Sequence, residues 1–186
     1  MGGYVALCID IYDNVEGEAV TGVAPALRPM LPADVAMLVK IFRSSIEELA
    51  AEDYSPGQIE AWMSVAEDEQ TFGARLQGML TLVATIGGLP AGFVSLKGTE
   101  EIDMLYVAAG VARQGIATLL VGAVEKLAGV RGAKRLTADA SDTARPFFEA
   151  RGFVAERRNT VILGDEWLGN TTMTKTLVAS SPSVHQ

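Results

Sequence analysis

The chain carries one cysteine, Cys8, and one histidine, His185. A lone cysteine cannot close an internal disulfide, so packing must supply the stability, and a reducing compartment is expected. His185 lies in a polar C-terminal stretch, so neither a histidine base nor a histidine-built metal site is expected, and no metal is called for. Cations are outnumbered: the net charge is −8, which argues against general nucleic-acid binding. No apolar run reaches the roughly 20 residues of a membrane-spanning helix. The start, Met-Gly-Gly-Tyr-Val-Ala, lacks both the basic region of a signal peptide and the Ser or Thr of a myristoylation signal. These absences predict a cytoplasmic protein with no membrane partner.

The 186 residues are 49% apolar and 20% charged, a balance that suits one domain with a core of its own. Charge is unevenly placed. Residues 1–100 hold 5 Lys/Arg against 14 Asp/Glu, and residues 101–186 hold 10 against 9. The first half reads as acidic surface helices, or as an acidic side for a cationic acceptor facing a neutral side for an anionic cofactor.

Residues 1–25 read as an N-terminal extension with a weakly alternating Tyr4–Tyr12, residues 26–178 as the folded body, and residues 179–186 as a disordered tail. Within the body, Ala26–Leu31 is a short predicted strand. Pro32-Ala33-Asp34 opens a helix with the stripe Val35, Leu38, Phe42, Ile46 and Leu49, and Pro56 opens a second helix. Leu80–Ile86, Ala91–Leu96 and Glu101–Val107 are predicted strands with Gly87-Gly88 turning between the first two. A helix follows with Ile116, Leu119, Leu120, Ala123, Val124 and Leu127 on one face. A strand at Arg135–Ala138, a helix at Thr143–Ala150, and strands at Phe153–Leu163 and Thr171–Leu177 joined through Gly164-Asp165 complete the order. Tight turns imply antiparallel pairing and the single strand–helix–strand passage one parallel crossover. The expected fold is α+β: a single domain with a mixed, mostly antiparallel sheet and helices on both faces.

The passage from Ile102 to Leu120 carries the most chemistry. A helix start presents unpaired N–H groups and partial positive charge, and consecutive loop amides cradle anions. Gly115 permits close backbone approach, Ala117 keeps the first turn narrow, Arg113 adds a charge and Thr118 a hydroxyl. The same segment also reads as a plain loop entering an amphipathic helix.

Here the chain resembles the GNAT superfamily of acetyl-CoA-dependent N-acetyltransferases. That family's pyrophosphate motif reads Arg/Gln-x-x-Gly-x-Gly/Ala after a strand that often ends Leu-Tyr-Val. This chain has Leu105-Tyr106-Val107 and then Ala112-Arg113-Gln114-Gly115-Ile116-Ala117, with Ala112 at the first motif position and Arg113 one residue later. Downstream, Ser141-Asp142-Thr143-Ala144-Arg145-Pro146-Phe147-Phe148-Glu149-Ala150-Arg151-Gly152-Phe153 is similar to the family's Asn-x-x-Ala-x-x-Phe-Tyr-x-x-x-Gly-Phe. Ser141 stands in the Asn position and Phe148 in the Tyr position. The segment Tyr54-Ser55-Pro56-Gly57-Gln58-Ile59-Glu60-Ala61-Trp62 is similar to one found in small bacterial members.

The resemblance implies direct acetyl transfer from acetyl-CoA to a primary amine in a ternary complex. It places the cofactor on Leu105, Tyr106, Val107, Arg113, Gln114, Gly115, Ile116, Ala117, Thr118, Ser141 and Phe148, with the Leu105 and Val107 amides facing the thioester carbonyl. With histidine excluded, the base is a carboxylate or a water chain. Glu101 and Asp103 are the candidates, sharing a strand face with Leu105 by period-two alternation; each also reads as a structural acid. The general-acid tyrosine is missing at Phe148. The acceptor, a small amine or peptide amine, is expected between the first two helices and the sheet, near Glu47, Tyr54, Trp62 and Trp167, with Ser45, Glu48 and Phe72 as further candidates. Trp62 and Phe72 equally suit core packing. A homodimer is left open. The competing readings are a non-catalytic CoA-binding module or sensor, and a nucleotide-binding α/β domain. The latter lacks a Gly-x-Gly-x-x-Gly or a P-loop lysine.

Overall fold

The structure is a computed structural model, and it describes residues 23–177. The Tyr4–Tyr12 segment, Cys8, His185 and the tail lie outside the described residues.

The chain enters through β1 (Ala26–Pro29) and a 3-10 turn at Pro32–Asp34 that leads into α1 (Val35–Leu49). Asp34 fixes this entry: its carboxylate accepts the Leu31 N–H at 2.7 Å and both Arg28 guanidinium nitrogens at 2.6 and 2.8 Å. Next comes α2 (Pro56–Met63), which starts at a reciprocal cap. The Ser55 hydroxyl accepts from the Gln58 N–H at 3.2 Å, and the Gln58 side chain accepts from the Ser55 N–H at 2.9 Å. A third helix, α3 (Glu69–Gln77), corrects the expected order of two helices before the meander. Its sequence, EQTFGARLQ, offers only Phe72 and Leu76 as large apolar residues and holds a mid-helix glycine, so its periodicity is faint. Asp68 caps it, accepting the Thr71 N–H at 3.0 Å. Gly73 is there because a Cβ would lie 2.8 Å from a methyl of Val35.

The meander follows as β2 (Leu80–Ile86), β3 (Leu89–Lys97) and β4 (Glu101–Val107). Then come α4 (Ile116–Val130), β5 (Arg135–Ser141), α5 (Arg145–Ala150), β6 (Val154–Leu163) and β7 (Glu166–Thr176). Among the described residues these strands form one seven-stranded sheet, ordered β1-β2-β3-β4-β5-β7-β6. Every pairing is antiparallel except β4 with β5. β5 runs three residues past the expected Ala138, and β7 starts five before the expected Thr171, because the Gly164-Asp165 turn pairs Glu166 with Leu163 at once.

Two cores flank the sheet. On one face α1, α2 and α3 bring Leu38, Phe42, Trp62, Phe72 and Leu76 against Val83, Phe93, Met104 and Tyr106. The rings of Phe42 and Tyr106 are 4.6 Å apart. On the other face α4 and α5 bring Ile116, Leu120, Val124, Phe147 and Phe148 against Leu82, Val94, Ile102, Leu105 and Val107. Alternation sends successive residues to opposite cores, as with Leu82 and Val83 on β2, Phe93 and Val94 on β3, and Met104 and Leu105 on β4.

Candidate active site

The central opening of the sheet is set by how briefly β4 and β5 pair. Their parallel register covers only Glu101↔Thr137 and Ile102↔Ala138, although β4 continues to Val107 and β5 to Ser141. Beyond Ile102 the two strands part. The Ala108 N–H donates to the Ala91 carbonyl on β3 at 2.9 Å. Alternation then turns the Tyr106 N–H toward β3 and the Leu105 and Val107 N–H groups toward the opening.

The loop after β4 closes one end of that opening. Arg113 has φ of 64° and Gly115, the N-cap of α4, has φ of 81°. Left-handed residues this close are the backbone pattern in which successive amides form anion-binding concavities. Ile116 and Ala117 are buried, so their side chains pack and their amides are what the helix start offers. Arg113 and Gln114 are exposed at the rim and Thr118 is half-buried. Gly92 lets α4 start this near the strands: a Cβ there would meet the Tyr106 carbonyl at 2.9 Å and Ile116 Cγ2 at 3.0 Å.

The expectation that Glu101, Asp103 and Leu105 share a face is corrected by a bulge. Along β3 the partners run Lys97↔Glu101, Leu96↔Ile102, then Ser95↔Met104, so Asp103 is the extra residue. Ile102 and Leu105 pack in the α4–α5 core, while Met104 packs on the α1–α3 side. Asp103 turns to that side too, where Arg75 of α3 grips it through Nη2 at 2.7 and 2.9 Å and Nε at 3.2 Å. Its side chain is 2% exposed. A carboxylate so enclosed and so paired anchors the bulge, and cannot also collect a proton from an incoming amine without first losing Arg75. Nothing in the sequence marked Arg75, because the pair spans 28 residues. Glu101 is half-buried, and both its oxygens lie 3.1 Å from Lys97 Nζ.

Ser141 and Phe148 are both buried. The Ser141 hydroxyl accepts the Ala144 N–H at 3.0 Å and so shapes the turn into α5. Phe148 packs edge-on to Phe147 and Phe153, with ring centroids 5.3 and 5.0 Å away.

The expected acceptor space between α1, α2 and the sheet is filled by side chains. Trp62 is fully buried and its Nε1–H donates to the Tyr106 hydroxyl at 3.2 Å. Phe72 and Ser45 are core residues. The Tyr54 hydroxyl donates to the Gly169 carbonyl at 2.8 Å and accepts the Asp142 N–H at 2.9 Å. Burial pushes this phenol up to about 12, and burial also raises the Tyr106 phenol. Tyr54 and Trp62 are therefore structural here, a consequence of the aromatic cluster that closes the space. Glu47 and Glu48 stand exposed on α1, and Trp167 is 66% exposed at the β6–β7 turn, directly opposite the exposed Ile162.

The sequence matches the family described as acetyltransferase (GNAT) domain over residues 50–177. It is 34% identical over 144 residues to the uncharacterized N-acetyltransferase YafP of Escherichia coli (strain K12), covering 77% of this chain and 91% of that one. The crystal structure of the GCN5-related N-acetyltransferase (aminotransferase, class-II) from Rhodopseudomonas palustris is 56% identical with a TM-score of 0.82, covering 87% of this chain and 100% of that one. The PaiA N-acetyltransferase from Thermoplasma acidophilum, solved in complex with coenzyme A, shares the fold at 20% identity and a TM-score of 0.68, covering 82% and 99%.

Proposed function

The chain belongs to the GNAT acetyltransferase family, and we propose that it moves an acetyl group from acetyl-CoA directly to a primary amine, with both substrates bound at once. The observation that carries this reading is the opening of the sheet beyond Ile102↔Ala138, with a left-handed turn and a helix start at its end.

The residues present fit acetyl-CoA as substrate. The loop Arg113–Gly115 and the first amides of α4, from Ile116 to Thr118, supply donors and partial positive charge for the pyrophosphate, and exposed Arg113 adds a full charge. The freed edge of β4, from Leu105 through Tyr106 to Val107, receives the pantetheine arm. Amides of Leu105 and Val107 hold the carbonyl oxygen as charge builds there. Ser141 acts by shaping the turn that lines the opening, and Phe148 by packing beneath it.

In the transfer, the amine nitrogen bonds to the thioester carbon, the C–S bond breaks, and the thiolate departs. An acceptor that arrives as an ammonium ion first releases one proton to solvent, and Glu101, directly or through water, takes the second as the C–N bond forms. Its pair with Lys97 is solvent-exposed and holds it only weakly. Phe148 has no proton to give, so solvent protonates the thiolate. Asp103 keeps the bulge in place. Exposed Trp167 and Glu47 lie where an acceptor can meet them without displacing the core.

Thermal denaturation with acetyl-CoA, CoA, NAD and ATP tests the reading. CoA and acetyl-CoA should stabilise the protein, by about 2.7 kcal/mol at a hundredfold excess over Kd, and NAD and ATP should not. In Gly115→Val the CoA shift should vanish while the fold remains, because a β-branched residue resists the left-handed backbone and blocks phosphate approach. No shift with millimolar CoA in the unaltered protein would refute the proposal.

A further inference from the structure

We propose that Asp139 is the acceptor's anchor: its carboxylate binds the ammonium group of a cationic primary amine beside the β4–β5 opening. The inference rests on the acetyl-transfer reading and names the substrate class of that site.

Asp139 stands one step past Ile102↔Ala138, the last pair of the parallel ladder, where β5 leaves β4. Leu136, Ala138 and Ala140 pack into the α4–α5 core, so Thr137 and Asp139 stand on the opposite face of the sheet. Asp103 faces that same side, and so does Glu101, the neighbour of core-facing Ile102. Three carboxylates therefore look onto one side of the opening, and they differ in their partners. Arg75 neutralises Asp103, and Lys97 pairs with Glu101. Among the described residues no cation pairs with Asp139.

What Asp139 has instead is a polar relay that orients it. The Thr172 hydroxyl donates to Asp139 Oδ1 at 2.6 Å, and Asn159 Nδ2 donates to Thr172 Oγ1 at 2.8 Å and to Asn170 Oδ1 at 2.9 Å. One bond leaves most of the carboxylate's acceptor capacity unused. Arg157, in register with Thr172 on the same face, turns its Nε to Asn159 Oδ1 at 2.7 Å and not to the acid. Two further groups on this face point to a ligand independently of charge. Asn170 is fully buried, yet among the described residues its Nδ2 has no partner, and the buried Thr174 hydroxyl has none there either. Both flank Thr172 along β7, in register with Ser141 and Thr137. Buried polar groups are ordinarily bonded; an ammonium, which only donates, supplies the counter-charge for Asp139 and a donor for the Thr174 hydroxyl oxygen, whereas the Asn170 N–H calls for an acceptor atom elsewhere on the ligand.

The test uses the full chain, acetyl-CoA, and two sets of primary amines: alkylamines, which are ammonium ions at neutral pH, and arylamines, which are uncharged there. Alkylamines should be the acceptors. Asp139→Asn keeps the bond to Thr172 and removes the charge. It should raise alkylamine KM by about tenfold to a hundredfold, the loss of one hydrogen bond to a charged group, and shift the calorimetric Kd of acetyl-CoA by no more than about twofold. Asp139→Glu should recover part of the KM. Wild-type KM in Asp139→Asn, a wild-type preference for arylamines, or acetyl-CoA binding without transfer to any alkylamine would each overturn the proposal. Failure of the unaltered protein to bind acetyl-CoA would overturn the transfer reading beneath it. Should Asp139→Asn fail to fold, Thr172→Val, which frees Asp139 from its orienting bond, must raise alkylamine KM, and an unchanged value overturns the proposal.

Discussion

Phe148 presents a bare ring where the family this chain resembles usually offers a phenol. It is fully buried and wedged edge-on between Phe147 and Phe153. An added hydroxyl would enter the apolar core that holds this ring, and an unpaired buried hydroxyl costs about 1–3 kcal/mol. Phe148→Tyr should therefore lower stability in chemical denaturation and leave the rate of thiol release unchanged in stopped flow. A faster release would mean that the hydroxyl reaches the sulfur and that the missing acid limits the reaction. The sequence exposed this residue through a motif position. It could not show that Asp103, another motif-adjacent residue, is occupied by Arg75, since that depends on a helix 28 residues away.

At the scale of elements, the start of α4 must sit close to β3 and β4 if its amides are to reach a ligand in the opening. Gly92 makes the room. In Gly92→Ala the new methyl would lie 2.9 Å from the Tyr106 carbonyl and 3.0 Å from Ile116 Cγ2, and a backbone atom is among the groups that must yield. Overpacking of this kind costs about 1–3 kcal/mol. The expected outcome is a lower unfolding midpoint together with weaker acetyl-CoA binding by calorimetry, because the shift falls on β4 and the helix start together. Unchanged values for both would show that α4 can move without consequence. α4 itself was legible from its apolar face, whereas α3 was not: two apolar residues and a glycine make no periodic signal, and what holds that helix is Asp68 at its cap and Val35 against Gly73.

Across the whole molecule, Tyr54 ties together three segments distant in sequence. Its hydroxyl joins the connection between α1 and α2 to the Gly169 carbonyl of β7 and to the Asp142 N–H after β5. Tyr54→Phe leaves that carbonyl and that N–H without the bridge and should cost about 1–3 kcal/mol. The pH dependence follows from the raised phenol. Burial favours the neutral form in the folded state, where it titrates near 12, above its ordinary value of 10. Its contribution is complete below the unfolded value and is lost as pH rises through the folded one. Between pH 10 and about 12, the unaltered protein should lose stability more steeply than Tyr54→Phe. Equal slopes in denaturation curves would mean that the hydroxyl is not held as described. Tyr106, also raised by burial, is common to both proteins and cancels.

The sequence by itself determined the strands of the meander, the turn glycines, the amphipathic α4 and the loop before it. Each of these is written in short-range patterns: alternation, helical periodicity, and the backbone freedom of Gly115. It also carried the motifs that place the chain in its family. Only the tertiary structure decided which carboxylates are in use. A single extra residue at Asp103 breaks the two-residue rhythm of β4 and sends Leu105 to the other core, and the parting of β4 from β5 turns Asp139 from an ordinary strand residue into one beside the opening. Both depend on pairing between segments far apart in the chain, and no local pattern encodes where such a pairing stops.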